Sequence, residues 1–327
     1  MIVAVDAAGG DHYPQSPVEG ALLAIEEDLD LHVLLLGPEE AIQKELIGKE
    51  YDKSRISIQH TPQIIGMEES PASAVKNKQQ SSIVMGMGLH KAGKCDAFVS
   101  AGNTGALLAA STFILGKLKG VSRPTIASYF PTVKGFRLLV DAGANLEIKP
   151  EVALQFAKMG QVFCEHMMGI QDPKVGLLNV GEEDEKGTEE LKEIHKFIKD
   201  LPGFIGNVEG RDILAGKVDV YLTDGLVGNI VLKFGESIPH ALTQMVGLAI
   251  AKMEVTEQEI ATTKKILNSA FAPFNYELVG GIPFLGVNGI SIVGHGGSSP
   301  LAIKNMIKSA VQCIKNDVNG KIVEALN

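Results

Sequence analysis

An α/β fold, with a mainly parallel sheet covered on both faces by helices, is what this 327-residue sequence predicts. Three observations lead there. Short apolar strands alternate with helical patterns along the whole chain. Each strand runs into a loop of Gly with Asp, Asn, Ser or Thr, the composition expected of ligand loops beyond the carboxyl ends of parallel strands. Glycine reaches 36 residues, above the usual ~7%, and no Gly-X-Y period accounts for it, so the excess serves turns and close backbone approaches.

The elements follow in order. Residues 2–5 form the first strand and lead into Asp6-Ala7-Ala8-Gly9-Gly10-Asp11-His12. Ser16, Pro17 and Glu19 predict the next helix start, a Ser-x-x-Glu capping box with Pro at the first helical position. Residues 32–36 form a second strand, closed by Gly37-Pro38 before a helix that opens on Glu39-Glu40. Residues 97–99 enter Ser100-Ala101-Gly102-Asn103-Thr104-Gly105, and a small-residue helix follows over 106–115. Residues 136–140 enter Asp141-Ala142-Gly143-Ala144-Asn145, with a helix beginning near Pro150. Residues 174–178 enter the acidic loop 179–187, where Thr188 caps the next helix. Residues 218–222 enter Thr223-Asp224-Gly225-Leu226-Val227-Gly228-Asn229. Residues 290–293 enter Gly294-His295-Gly296-Gly297-Ser298-Ser299, and the last helix starts at Pro300. No linker or low-complexity tract divides the chain, so 1–327 reads as a single domain, with 226–269 as a protruding helical arm or dimer surface.

Composition excludes several classes. Lys and Arg number 30 against 39 Asp and Glu, a net charge of −9, which argues against a nucleic-acid partner. Hydrophobic residues at 45% and charged residues at 21% suit a globular core. Cys95, Cys164 and Cys313 are scattered without a C-x-x-C pair, as in a reducing compartment. Residues 1–6 lack a basic leader, so a cytoplasmic protein is expected. Two uncharged stretches, 97–116 and 278–303, are interrupted by Gly, Asn and Pro and read as strands running into glycine loops, not as membrane spans.

Common catalytic signatures fail. Gly210 to Gly216-Lys217 has the wrong spacing for a Walker loop, and Val218 stands where Ser or Thr is required. Gly86-Met87-Gly88 and Gly294-His295-Gly296 lack the third glycine of a dinucleotide fingerprint. Neither a Gly-x-Ser-x-Gly elbow nor a His-Glu-x-x-His pair is present. The run Glu182, Glu183, Asp184 and Glu185 is either a Mg²⁺ site or, as acidic runs more often are, a solvated helix entry; no metal and no cofactor are expected.

Anion-binding features remain. Asn103 and Thr104, between glycines at a helix start, and Ser298, before Pro300, offer backbone N–H groups at a positive dipole end; each is a phosphate-site candidate or an ordinary cap. Several such loops are expected at one sheet edge. Lys186 is either a cation brought into that cleft or a surface lysine paired with its acidic neighbours. Asn229, at a helix start, is either an amide donor to a carbonyl oxygen or a cap. His12 and His295 sit in glycine loops, as acid/base groups or structural histidines.

At these loops the sequence resembles the bacterial phosphate acyltransferases of phospholipid synthesis. The resemblance is carried by the runs at 6–12, 100–106, 141–145 and 177–183 with Lys186-Gly187. It continues at Gly206-Asn207-Val208-Glu209-Gly210, Asp224-Gly225 with Gly228-Asn229, Leu285-Gly286-Val287-Asn288-Gly289 and His295-Gly296, and so spans essentially the whole chain. Ala8 stands where the family usually has Met and Leu226 where it usually has Phe, apolar exchanges that bear on pocket shape.

The resemblance implies a three-layer α/β/α architecture similar to phosphotransacetylases and isocitrate/isopropylmalate dehydrogenases. It also implies reversible transfer of a fatty acyl group from acyl carrier protein to inorganic phosphate, and a homodimer peripherally associated with the cell membrane. A membrane glycerol-3-phosphate acyltransferase would accept the product. For that chemistry Lys186 and Asn229 are the catalytic candidates, with Asn103, Thr104 and Ser298 binding phosphate and Asp224, Asn145, His12 and His295 in support. Residues 242–267 are the candidate membrane surface, and Lys304, Lys308 and Lys315 are either a docking patch for the acidic carrier or a solvated helix face. An enzyme using acyl-coenzyme A, a noncatalytic acyl-phosphate scaffold and an oxidoreductase of the related fold are the alternatives.

Overall fold

In the computed structural model, which describes residues 1–327 apart from the Tyr276 side chain, eleven strands pair in one sheet. They are β1 (Ile2–Asp6), β2 (His32–Gly37), β3 (Ile56–His60), β4 (Ala97–Ser100), β5 (Thr125–Thr132), β6 (Gly135–Val140), β7 (Val175–Leu178), β8 (Phe204–Val208), β9 (Val220–Leu222), β10 (Ile282–Leu285) and β11 (Ile290–Val293). Their order across the sheet is β3-β2-β1-β4-β11-β10-β5-β6-β9-β7-β8. Seven of the ten neighbouring pairs are parallel, so the sheet is mainly parallel. Central strands such as β4 and β7 are apolar runs buried along their whole length, as a sheet covered on both faces requires, whereas the edge strand β3 is only partly buried.

The three antiparallel pairs, β11 with β10, β10 with β5 and β5 with β6, stand together in the middle. An odd number of reversals leaves two parallel blocks running in opposite directions: β3, β2, β1, β4 and β11 in one, β6, β9, β7 and β8 in the other. The expectation of a single loop-bearing edge is corrected accordingly, because the polar loops leave from the carboxyl ends of two opposed blocks. The strands that reverse the direction, β5 and β10, contain Pro131 and Pro283 and are each followed by another strand instead of a helix, so the strand–loop–helix alternation does not announce them.

Helix boundaries follow local chemistry with one exception. Thr188 caps the Glu189–Ile198 helix, accepting the Leu191 N–H at 3.3 Å. The Thr104–Ala110 helix continues into a π turn over Ser111–Leu115. The capping box at Ser16 does not form. The helix is Gln15–Glu27, with Pro14 at its N-cap and Ser16 buried inside the first turn, because the Ser16 N–H already donates to His12 O and that of Val18 to Pro14 O. Pro300–Lys315 is followed by a further helix, Val318–Leu326, so it is not the last. Residues 226–269 fall in two helices, Gly225–Ile250 and Glu257–Phe271; the first buries Gly225, Gly228 and Gly235 and the second buries nothing among the described residues.

The largest fully buried side chains include Phe98, Phe156, Phe163 and Tyr221. The Tyr221 hydroxyl stays satisfied, donating to Asp212 O at 2.8 Å and accepting the Lys217 N–H at 2.9 Å. All three cysteines are buried and unpaired, and burial pushes the Cys95 thiol up to about 11 and that of Cys313 to about 12, so they are packing groups and not nucleophiles. Among the described residues no helix is long and apolar enough to cross a membrane.

Candidate active site

The second block ends in a platform built on Asp141. The apolar strand β6 delivers this carboxylate to a fully buried position. There it accepts the N–H groups of Ile126 at 3.2 Å, Gly143 at 3.2 Å, Ala144 at 3.0 Å and Asn145 at 2.7 Å, and Asn145 Nδ2 at 2.8 Å. A buried carboxylate is tolerable only with such saturation, and here its donors come from the loop it organises. Asn145 is the orienting residue of that loop, its amide also donating to Pro124 O at 2.9 Å.

The Gly225–Ile250 helix seats directly on this platform. The Gly225 N–H donates to Asn145 O at 2.6 Å. A Cβ at Gly225 would lie 2.7 Å from that same oxygen, and one at Gly228 would run into the carbonyl oxygen of Asp141, so the approach requires glycine at both positions. Asp224 is the N-cap, accepting the Val227 N–H at 2.8 Å. The Asn229 side chain consequently lies against Gly143, 3.6 Å from where a Cβ there would stand. It is half-buried, and among the described residues its amide has no hydrogen-bond partner.

Lys186 reaches the same end of the block from the neighbouring strand, since β7 pairs in parallel with β9. Two buried amides fix its loop: Asn179 Nδ2 donates to Lys186 O at 3.1 Å and Asn207 Nδ2 to Glu183 O at 2.8 Å. Two of the four flanking acids face elsewhere: Glu182 pairs with Lys217 at 2.6 Å, and Asp184 lies 3.4 Å from His195 Nε2. Lys217, held first by the Glu182 hydrogen bond, has its ammonium pKa raised. Lys186 itself is exposed and forms no ion pair among the described residues, so pairing with its neighbours, the alternative left open by spacing, does not occur.

The first block arranges its polar residues differently. Asp6 is buried at the end of β1, accepting Ser100 Oγ at 2.6 Å and the Ala8 N–H at 3.1 Å. Burial raises its pKa, and the hydrogen bonds from Ser100, Ser82 and Ala8 oppose that shift. Asn103 caps its helix by accepting the Ala106 N–H at 3.0 Å, while its amide donates to Gly66 O, Met67 O and Glu69 O, each at 3.1 Å. The Ser298 hydroxyl donates to His295 O at 2.6 Å, and His295 Nδ1 accepts the Gly297 N–H at 3.1 Å. The Asn103 and Ser298 side chains are therefore both buried and already bonded within the protein. Thr104 and His12 are exposed.

The structure thus brings Lys186, Asn229, Asn145 and Asp224 to one block and Asn103, Thr104, Ser298, His12 and His295 to the other. The Thr104–Ala110 helix links them, because its Leu107 shares a hydrophobic cluster with Ala142. Asp141, Asp6, Asn179 and Asn207 were not singled out from the sequence. For the two aspartates a signal exists, an acid directly after an apolar strand and before small residues, which occurs at both 6–10 and 141–145. Acids at the end of the neighbouring helix face the lysines of the candidate docking patch: Lys304 and Lys308 lie 2.7 and 3.8 Å from Glu27, and Lys315 3.4 Å from Asp28.

A family model described as a fatty acid synthesis protein matches residues 1–321. The phosphate acyltransferase of Chlorobaculum parvum is 48% identical over 100% of this chain and 99% of its own length. That of Clostridium perfringens is 40% identical over 100% of this chain and 97% of its own. Among solved structures, a phosphotransacetylase from Streptococcus pyogenes covers 96% of this chain and 94% of its own with a TM-score of 0.61 at 15% identity. A branched-chain phosphotransacylase from Enterococcus faecalis covers 96% and 99% at a TM-score of 0.57 and 14% identity. At those identities the two structures share the fold.

Proposed function

This chain belongs to the phosphate acyltransferase family, and from that premise we propose that it transfers a fatty acyl group reversibly from acyl carrier protein to inorganic phosphate. The products are acyl phosphate, destined for a membrane glycerol-3-phosphate acyltransferase in phosphatidic acid synthesis, and the free carrier thiol. A phosphate oxygen attacks the thioester carbon, the C–O bond forms as the C–S bond breaks, and the thiolate leaves with the bonding pair and then takes a proton from solvent.

Neither partner in this exchange needs strong acid/base help. The second pKa of phosphate is ~7, near the phosphomonoester value of ~6, so much of it is already a dianion. A thiol of pKa about 8.5 departs readily. The protein's task is to hold a dianion against the acyl carbon and stabilise the developing oxyanion. The observation that carries this reading is Lys186, an exposed ammonium with no ion pair among the described residues, on a loop leaving the strand beside the one that leads to Asn229. Lys186 holds phosphate and offsets its charge; the Asn229 amide donates to the oxyanion. The Thr104 hydroxyl and the N–H groups of its helix are the remaining phosphate candidates from the first block.

The two long helices form an arm that serves as a dimer surface and a weak, reversible membrane contact. Ile230, Phe234, Met245 and Leu248 on the first of them are each at least 60% exposed, which supports this use. Cosedimentation with anionic liposomes at low salt and light scattering of the free protein test the two parts; absence of both binding and dimer removes the arm's role.

The deciding experiment is thiol release from acyl-loaded carrier protein with and without inorganic phosphate, the product trapped by hydroxylamine. Phosphate-dependent release with trapped acyl hydroxamate is the expected result. Release only from acyl-coenzyme A would assign the phosphotransacetylase-like reaction, and silence with both donors would leave a binding scaffold.

A further inference from the structure

A cavity of about 300 Å³ borders the Asp141 platform at Ala144 and Asn145. Leu108, Pro124 and Ala144 give it apolar walls, Asn145 a fixed polar edge, and Lys117 and Arg123 two cations. Its frame is rigid, because Asn145 is tied to both Asp141 and Pro124. Gln155 also holds the neighbouring turn, accepting the Ser122 N–H at 2.8 Å and donating to Gly120 O at 2.9 Å. Arg123 is exposed and has neither an ion pair nor a hydrogen bond among the described residues, while Lys117 donates only to Ser122 O at 2.8 Å. In a chain of net charge −9, two adjacent cations without a carboxylate mark a place for an external anion. The next residues in the chain after two lining positions, Phe113 after Thr112 and Leu146 after Asn145, are 74% and 68% exposed apolar side chains.

We propose that this cavity binds the phosphopantetheine arm of the acyl donor, with Arg123 and Lys117 on its phosphate and the apolar walls along its chain. The inference deepens the acyl-transfer reading and rests on it for the identity of the donor. Inorganic phosphate alone would leave the apolar walls uncovered, whereas an arm with an anionic end and a largely uncharged body matches both parts of the lining. The cavity is also continuous with the seat of the helix bearing Asn229, since Asn145 lines the one and accepts the Gly225 hydrogen bond that makes the other. The same arm occurs in carrier protein and in coenzyme A, so the site itself recognises what both share.

The test is calorimetric titration of the full-length protein with phosphopantetheine and with pantetheine, which lacks the phosphate. Phosphopantetheine is expected to bind about tenfold more tightly or better, the worth of a charge-assisted contact. That preference should collapse in Arg123→Gln, weaken in Lys117→Gln and partly return in Arg123→Lys. Equal binding of the two ligands by the wild type, or a preference that survives in Arg123→Gln, overturns the proposal. In turnover, Arg123→Gln should raise KM for acyl-coenzyme A and for acyl carrier protein alike. A rise in KM confined to inorganic phosphate would assign the cations to the acceptor, and a rise confined to the carrier would assign them to its protein surface; either overturns the arm site. A protein that binds phosphopantetheine through Arg123 yet releases no thiol keeps this site and loses the acyl-transfer reading, so the two fail separately.

Discussion

Two aspartates end apolar strands in this molecule, and the protein uses them in different ways. Asp6 closes β1 and leans on a neighbouring strand, taking its strongest bond from Ser100 Oγ at 2.6 Å. Asp141 closes β6 and takes four backbone N–H groups and one side-chain amide, all but the Ile126 N–H from its own loop. Around Asp6 the side chains of Asn103 and Ser298 are also spent on internal bonds, the first tying its loop to residues 66–69 and the second closing its own turn on His295. Around Asp141 the internal bonds are made by backbone and by Asn145, and the candidate side chains Lys186 and Asn229 are left over. Similar sequence grammar therefore builds a strut in one half and an open platform in the other. What distinguishes them is which groups remain unspent once the loop is satisfied.

The most severe way to break this contrast is Asp141→Ala. It strands several buried donors, each worth about 1–3 kcal/mol, so chemical denaturation should show a loss of at least about 3 kcal/mol. A loss under 1 kcal/mol would mean that the platform does not depend on the carboxylate. Next come the unspent groups themselves. Lys186→Ala and Asn229→Ala should each lower kcat by ~10² or more while the thermal midpoint stays near that of the wild type. Near-normal turnover by either variant takes that residue out of the chemistry.

Gly228→Ala is smaller in chemistry but tests the seating of the helix. The added methyl meets the Asp141 carbonyl, a backbone atom that cannot step aside, and overpacking of this kind costs about 1–3 kcal/mol. Turnover should fall together with the melting temperature, in contrast to Asn229→Ala.

The smallest effect sharpens the Asp6 side of the comparison. With its pKa raised by burial, folded Asp6 keeps a proton at pH values where the unfolded chain has already released it, starting from the ordinary value of 3.8. The native state then binds more protons than the unfolded one, so this residue's contribution to stability falls as pH rises from 3.8 upward. Asp6→Asn should flatten that part of the stability–pH curve in urea titrations. An unchanged slope would show that Asp6 titrates alike in both states.

The sequence by itself determined the α/β class, the strand–loop–helix grammar, most helix starts and the loops from which the candidate residues project. These are local properties: apolar runs, glycines and caps act within a few residues. Its error at Ser16 was also local, since backbone bonds from His12 and Pro14 began the helix before the capping box was reached. Only the tertiary structure decided the rest. The reversal through β10 and β5 split the polar loops between two blocks, a matter of long-range pairing that no local pattern records. The fates of Lys186 and Asn103 depended on distant partners in the same way. Lys217 drew Glu182 away from one, and carbonyls of residues 66–69 engaged the amide of the other. A side chain's type can be read from the sequence, but whether it is left available is settled by what the folded chain places beside it.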